Sequence, residues 1–184
     1  MKQLLSVIVL TVLLAGFINA QSKMALGVQA GIALPMGDFG DGFDMGFGGI
    51  ANFAYHINPN LDVTGSAGYL TWGAKETDAS FSSIPVLVGA RYYFGKDKFN
   101  PYLAGELGIH FSTVDIPEVV IPGYGTIGGG SDSGSDFGFG VGAGFLYQLG
   151  PKLDLDVNAK FNSIATSGSS SSYISIMAGV LFAL

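Results

Sequence analysis

Ser83–Phe94 reads S-I-P-V-L-V-G-A-R-Y-Y-F, Gly95–Asn100 reads G-K-D-K-F-N, and Pro101–Phe111 reads P-Y-L-A-G-E-L-G-I-H-F. Taken by twos, the first arm puts Ile84, Val86, Val88, Ala90, Tyr92 and Phe94 on one face and Leu87, Gly89, Arg91 and Tyr93 on the other. The second arm sets Leu103, Gly105, Leu107, Ile109 and Phe111 against Tyr102, Ala104, Glu106, Gly108 and His110. Side chains alternate across a strand, so a period of two predicts two strands and not a helix. The short polar link, opened by Gly95 and closed by Pro101, makes them a hairpin. One face is apolar and ends in aromatics, while the other carries the ionisable groups. An apolar face of that kind, turned outward from the polar one, requires a lipid neighbour.

The same alternation recurs along the chain. It predicts strands over about Ala25–Leu34, Met45–Ile57, Leu61–Gly73, Phe137–Leu149, Leu153–Phe161 and Tyr173–Leu184, eight with the hairpin. In the Phe137–Leu149 strand, Gly138, Gly140, Gly142 and Gly144 occupy one face, which suits a close approach of neighbouring groups. The connections alternate long and short, as an up-and-down barrel with both termini on one side demands. Thr113–Asp136, with its Gly-Ser-Asp run, reads as a long mobile link, and Pro35–Asp44 as a loop. The aromatics sort into two bands. Tyr55, Tyr92, Phe94, Phe145, Tyr147 and Phe182 fall at the short-turn end, and Phe47, Phe111, Phe137, Phe139, Phe161 and Tyr173 at the long-loop end. Two such bands match the two interfaces of a bilayer. The expected fold is all-β, an eight-stranded antiparallel up-and-down transmembrane β-barrel over residues 21–184.

Composition agrees. The 184 residues are 12% charged, against roughly a quarter in an ordinary soluble domain, and 29 are glycine. No cysteine is present, which excludes disulfides, thiolate metal sites and Cys nucleophiles. A net charge of −6 gives no footing for nucleic acid. Met1-Lys2, the apolar run Leu4–Phe17 and the small residue Ala20 predict a secretory signal peptide over residues 1–20, cleaved after Ala20.

These patterns resemble the small outer-membrane β-barrel domain family of Gram-negative bacteria, which includes the OmpA membrane domain and OmpW-like proteins. The resemblance rests on the leader ending at Ala20, the strand Ile84-Pro85 to Phe94, the opening Pro101-Tyr102-Leu103, and the C-terminal strand Ser175–Leu184. It implies a bacterial outer-membrane location and two partners, membrane lipid and the insertion machinery. Relatives usually end on an aromatic residue which that machinery reads. Here Phe182 stands two residues earlier, on the same face.

The candidate site is the lumen. Asp62, Arg91, Glu106, Asp154, Asp156 and Lys160 face inward, with His56 and His110. Arg91 and Glu106 lie on neighbouring strands and are expected to pair. Lys160 can meet Glu106 or the carboxylates of its own strand. A charge facing lipid at midplane costs about 2–4 kcal/mol for Arg or Lys, so an inward polar network is expected to plug the lumen. By the same logic Val88→Arg opposes insertion, whereas serine at inward Gly89 should have a milder effect.

No G-x-S-x-G elbow occurs, and the two histidines sit at opposite ends, so no enzymatic activity is assigned. The outer loops carry Asp38, Asp41, Asp44, Glu76, Asp78, Asp115, Glu118, Asp132 and Asp136 against Lys75. Gly37–Asp44 resembles a carboxylate loop but lacks EF-hand spacing, so neither metal nor cofactor is assigned. The expectation is a monomeric barrel with a structural or surface-interaction role, the outer loops offering a site for a surface ligand. Alternatives are a porin-like narrow channel or carrier for small apolar molecules, and a soluble lipocalin-like periplasmic binder.

Overall fold

The computed structural model describes residues 23–95, 97–121, 125–166 and 169–184. The predicted leader lies outside them. Eight strands run in chain order: β1 (Met24–Met36), β2 (Gly46–Asn58), β3 (Leu61–Gly73), β4 (Ser80–Tyr93), β5 (Phe99–Ile121), β6 (Gly125–Gly150), β7 (Leu153–Thr166) and β8 (Ser169–Ala183). Each pairs antiparallel with its neighbours, and β8 closes onto β1, Val180 opposite Val28, so the ring has no open edge at its waist. One short helix, α1 (Asp38–Gly42), lies between β1 and β2.

Alternation decides which side each residue meets. Val28, Val86, Val88, Leu103, Leu107 and Val141 are exposed on the outer face. Gln29, Asn52, Arg91, Asp156, Asn158 and Lys160 are buried within. A polar inside and an apolar outside reverse the order of a water-soluble barrel, and this overturns the soluble lipocalin-like alternative. The aromatic bands stand on the outer face, with one correction. Tyr173 is 2% exposed and points inward, where its ring packs edge-on to Trp72 at 5.1 Å. Its odd position relative to outward Ile174 and Ile176 decides its side.

The long link is a second correction. β5 and β6 continue their ladder well past the barrel, from Asp115 opposite Ser131 to Ile121 opposite Gly125. β4 stops at Ser80 opposite Asp115, and the β6–β7 ladder begins at Phe137 opposite Ala165. The Gly-Ser-Asp run is therefore strand: Gly128–Gly130 lie in a protruding two-stranded ribbon, and Ser131–Asp136 lie beside β5 where β4 still backs it. Local composition favours a loop there, but cross-strand hydrogen bonding carried on from the rigid barrel overrides it.

Candidate functional site: the lumen and its two mouths

Two ion pairs bridge the lumen. Arg91 on β4 donates from Nη1 to Asp156 Oδ2 on β7 at 2.8 Å, and Tyr102 on β5 donates its hydroxyl to Asp156 Oδ1 at 2.6 Å. The Arg91 guanidinium also lies over the Tyr102 ring, 5.0 Å from its centroid. Lys160 on β7 donates to Glu106 on β5 at 2.7 Å. The predicted Arg91–Glu106 pair does not form: Arg91 takes Asp156, and Glu106 takes Lys160, one of the partners its position allows. Strand neighbourhood puts Glu106 opposite Gly89, not Arg91, and closure of the barrel brings β7 across to face β4.

The glycine face of β6 makes both β5–β7 contacts geometrically available. Tyr102 stands opposite Gly144, Glu106 opposite Gly140, and Lys160 opposite Gly142. A Cβ at Gly144 would lie 2.6 Å from the Tyr102 hydroxyl oxygen, and one at Gly142 would lie 2.6 Å from Lys160 Cγ. Real side chains do not approach so closely, so any larger residue would close the slots through which Tyr102 and Lys160 reach over β6. At Gly138 the same space is taken by the His110 ring, whose Nδ1 meets Ser83 Oγ at 3.3 Å.

Asp62 belongs to a second group. It stands opposite Arg91 in the β3–β4 ladder, yet its carboxylate bonds elsewhere, to His56 Nδ1 and, at 2.9 Å, to the Tyr93 hydroxyl. Asp154 lies apart from both pairs, at the short-turn mouth, in a hollow of about 470 Å³ shared with Lys23, His56 and Asn100. Among the described residues it forms no ion pair. Gln29 and Asn52 join the network unpredicted. Asn52 donates to the Gln29 side-chain oxygen at 3.1 Å, and Gln29 donates to the Asp156 carbonyl at 3.4 Å. Their inward parity was the only signal, and neutral amides do not stand out in a search for charges.

The long-loop mouth is closed differently. Gly37 takes φ 58°, a left-handed turn that costs glycine little, and starts α1 back across the opening. This lowers Phe39 into a nest of aromatics, with ring centroids 5.0 Å from Phe43, 5.5 Å from Trp72 and 5.3 Å from Phe81. Lys75 holds the cap from outside. Its backbone N–H donates to Gly42 O at 3.0 Å, its ammonium donates to Gly40 O, and Asp44 N–H donates to Gly73 O at 2.8 Å. The loop keeps Asp38, Asp41 and Asp44 exposed, as a solvated tip would, but Phe39 turns in and makes it an aromatic stopper. Trp72 below it donates its indole N–H to Ala33 O at 3.0 Å, which satisfies the polar atom of a side chain 1% exposed.

The model of the outer membrane protein beta-barrel domain family matches residues 6–182. Among solved structures the chain is similar to Neisserial surface protein A, with TM-score 0.67 and 22% identity over 90% of this chain and 100% of that one. It is similar to Ail, the attachment invasion locus protein of Yersinia pestis, with TM-score 0.52 and 19% identity over 90% of this chain and 100% of that one. Ail has also been solved in complex with the heparin analogue sucrose octasulfate, and that structure gives TM-score 0.54 and 19% identity over 88% and 97%. OprG from Pseudomonas aeruginosa matches with TM-score 0.54 and 15% identity over 89% and 97%. No curated protein matches the chain. At these identities the structural likenesses speak to the fold alone.

Proposed function

We infer the role of this chain from one premise: it belongs to the outer membrane protein beta-barrel domain family, and so is an integral barrel of the bacterial outer membrane. Within that class, we propose a barrel closed to solutes, serving structure and contact at the cell surface. The observation that carries this reading is the crossed lumen. Arg91, Asp156 and Lys160 are each at most 5% exposed, and their bonds span from wall to wall beneath the Phe39 stopper. Opening such a plug leaves desolvated charges without partners, which opposes conduction.

Surface contact is supported by the protruding β5–β6 ribbon and by the charge of the long-loop end. The neighbour Ail was solved with a polyanion. A rim with nine carboxylates and one lysine would repel a ligand of that kind, so a cationic partner suits this chain better. In this reading the long loops face outward, the short turns face the periplasm, and residues 1–20 serve as the export leader.

A narrow channel is the second reading. Both side-chain atoms of buried Asn158, and Nε2 of His110, have no protein partner among the described residues. Buried amides are rarely left so, and a hydrated thread along β7 would satisfy them. Conductance of the purified barrel in planar lipid bilayers separates the two. Absence of discrete current steps is expected. Stable unitary steps in the wild type would refute the plug.

A further inference from the structure

Charge is unevenly divided between the two mouths. The carboxylates named above crowd the long-loop rim. Among the described residues, Lys23, Lys98 and Lys152 lie at the short-turn end, and none forms an ion pair. Lys98 separates two hollows. The one toward the lumen is lined by Asp97 and Asp154, with Asn100 and Leu146. The other, about 290 Å³, is lined by Lys98, Gln148, Leu149, Gly150 and Pro151 and contains no carboxylate.

We propose that this second hollow, at the β6–β7 turn, binds the headgroup of an anionic phospholipid, with Lys98 as its cation and the outer face of β6 as the seat of the acyl chains. Three features converge there. The Lys98 ammonium lies 5.5 Å from the Tyr147 ring centroid, which keeps this exposed cation beside the aromatic band. A register shift between Gln148 and Gly150 leaves Leu149 without a partner on β7, and the Gln148 N–H donates to Lys98 O at 2.8 Å, which ties this irregular stretch to Lys98. Beside the hollow Tyr147 and Phe99 are exposed, as is Leu149 in its wall, and the Phe99 and Phe145 rings form a tilted pair with centroids 5.1 Å apart, so apolar surface suited to acyl chains adjoins the hollow. A phosphodiester seated by Lys98 keeps its glycerol and chains on that surface. Lys152 does not line the hollow, but it is exposed and next in the chain to Pro151, which does, so it adds a second positive charge to this end of the barrel. The long-loop mouth, acidic and latched, offers nothing comparable. This inference does not depend on whether the lumen conducts.

The test is native mass spectrometry of the folded barrel released from detergent, titrated with phosphatidylglycerol or phosphatidylcholine of equal chain length. Wild-type protein should retain phosphatidylglycerol about five- to thirtyfold more than phosphatidylcholine, as one to two lysines near an anionic headgroup predict. Lys98→Gln with Lys152→Gln should abolish the preference, while Lys75→Gln at the other mouth should leave it intact. Retention of the folded band on unheated gels shows that each variant is a barrel. Equal retention of the two lipids by the wild type, or an undiminished preference in the Lys98/Lys152 variant, would overturn the proposal.

Discussion

Arg91→Ala isolates the lumen network. In the wild type the Asp156 carboxylate, 1% exposed, is held by Arg91 at 2.8 Å and by the Tyr102 hydroxyl at 2.6 Å. Two unit charges about 4 Å apart attract by about 4 kcal/mol at an effective dielectric near 20, and both have paid desolvation to be there. Removing Arg91 leaves that carboxylate buried with one neutral donor. The expected loss is about 3–5 kcal/mol. Adding Asp156→Ala removes the orphaned charge, so the double variant should be more stable than the two single losses predict, by a coupling of about 1–3 kcal/mol. Arg91→Ala with Glu106→Ala should be additive within about 0.5 kcal/mol, because Glu106 has its own cation, Lys160, at 2.7 Å. Urea unfolding in phospholipid vesicles measures all three. The single tryptophan, Trp72, reports it from inside the barrel, with gel mobility as a second probe. A coupling of Arg91 with Glu106 as large as that with Asp156 would refute the assigned pairing. So would a cost below about 1 kcal/mol for Arg91→Ala, which would mean a lumen wet enough to screen its charges.

Gly144→Ala should cost about 1–3 kcal/mol by driving Tyr102 off Asp156, whereas Gly105→Ala, where an added Cβ meets open space, should stay within about 0.5 kcal/mol in the same unfolding assay. Val88→Arg places a cation on the outer face and should cost about 2–4 kcal/mol, measured as reduced folding yield into bilayers. Gly89→Ser, on the inward face, should be milder than Val88→Arg but not silent. Its Cβ would run into the Gly105 carbonyl and lie 2.8 Å from Glu106 Cβ, so this variant should lose stability too. A protease site inserted at Gly129 should be cut on intact cells and one at Asp97 protected. The opposite pattern would invert the proposed orientation.

Much of this molecule is legible in its sequence. Strand geometry sends successive side chains to opposite faces, so Val86, Val88, Leu103 and Leu107 could be assigned outward and Arg91, Glu106, Asp156 and Lys160 inward from position alone. The bilayer then sorts polarity between the faces, and chain parity sets the meander. Composition misled where it was read locally. Gly128–Asp136 looked like a loop because the run is rich in glycine and serine, yet it is a strand because β5 offers it a continuous ladder. The Lys160–Glu106 pair was among the pairings position allows, but the choice among partners, and Arg91 with Asp156 above all, was not legible. It depends on which walls face one another after closure, and that is set by register and curvature summed over all eight strands. Only the closed ring brings Asp156 of β7 within reach of Arg91 of β4. Only there do the glycines of β6 act as gaps through which Tyr102 and Lys160 meet their carboxylates. A strand-by-strand reading sees the glycines as missing side chains and cannot say whose side chains fill the space.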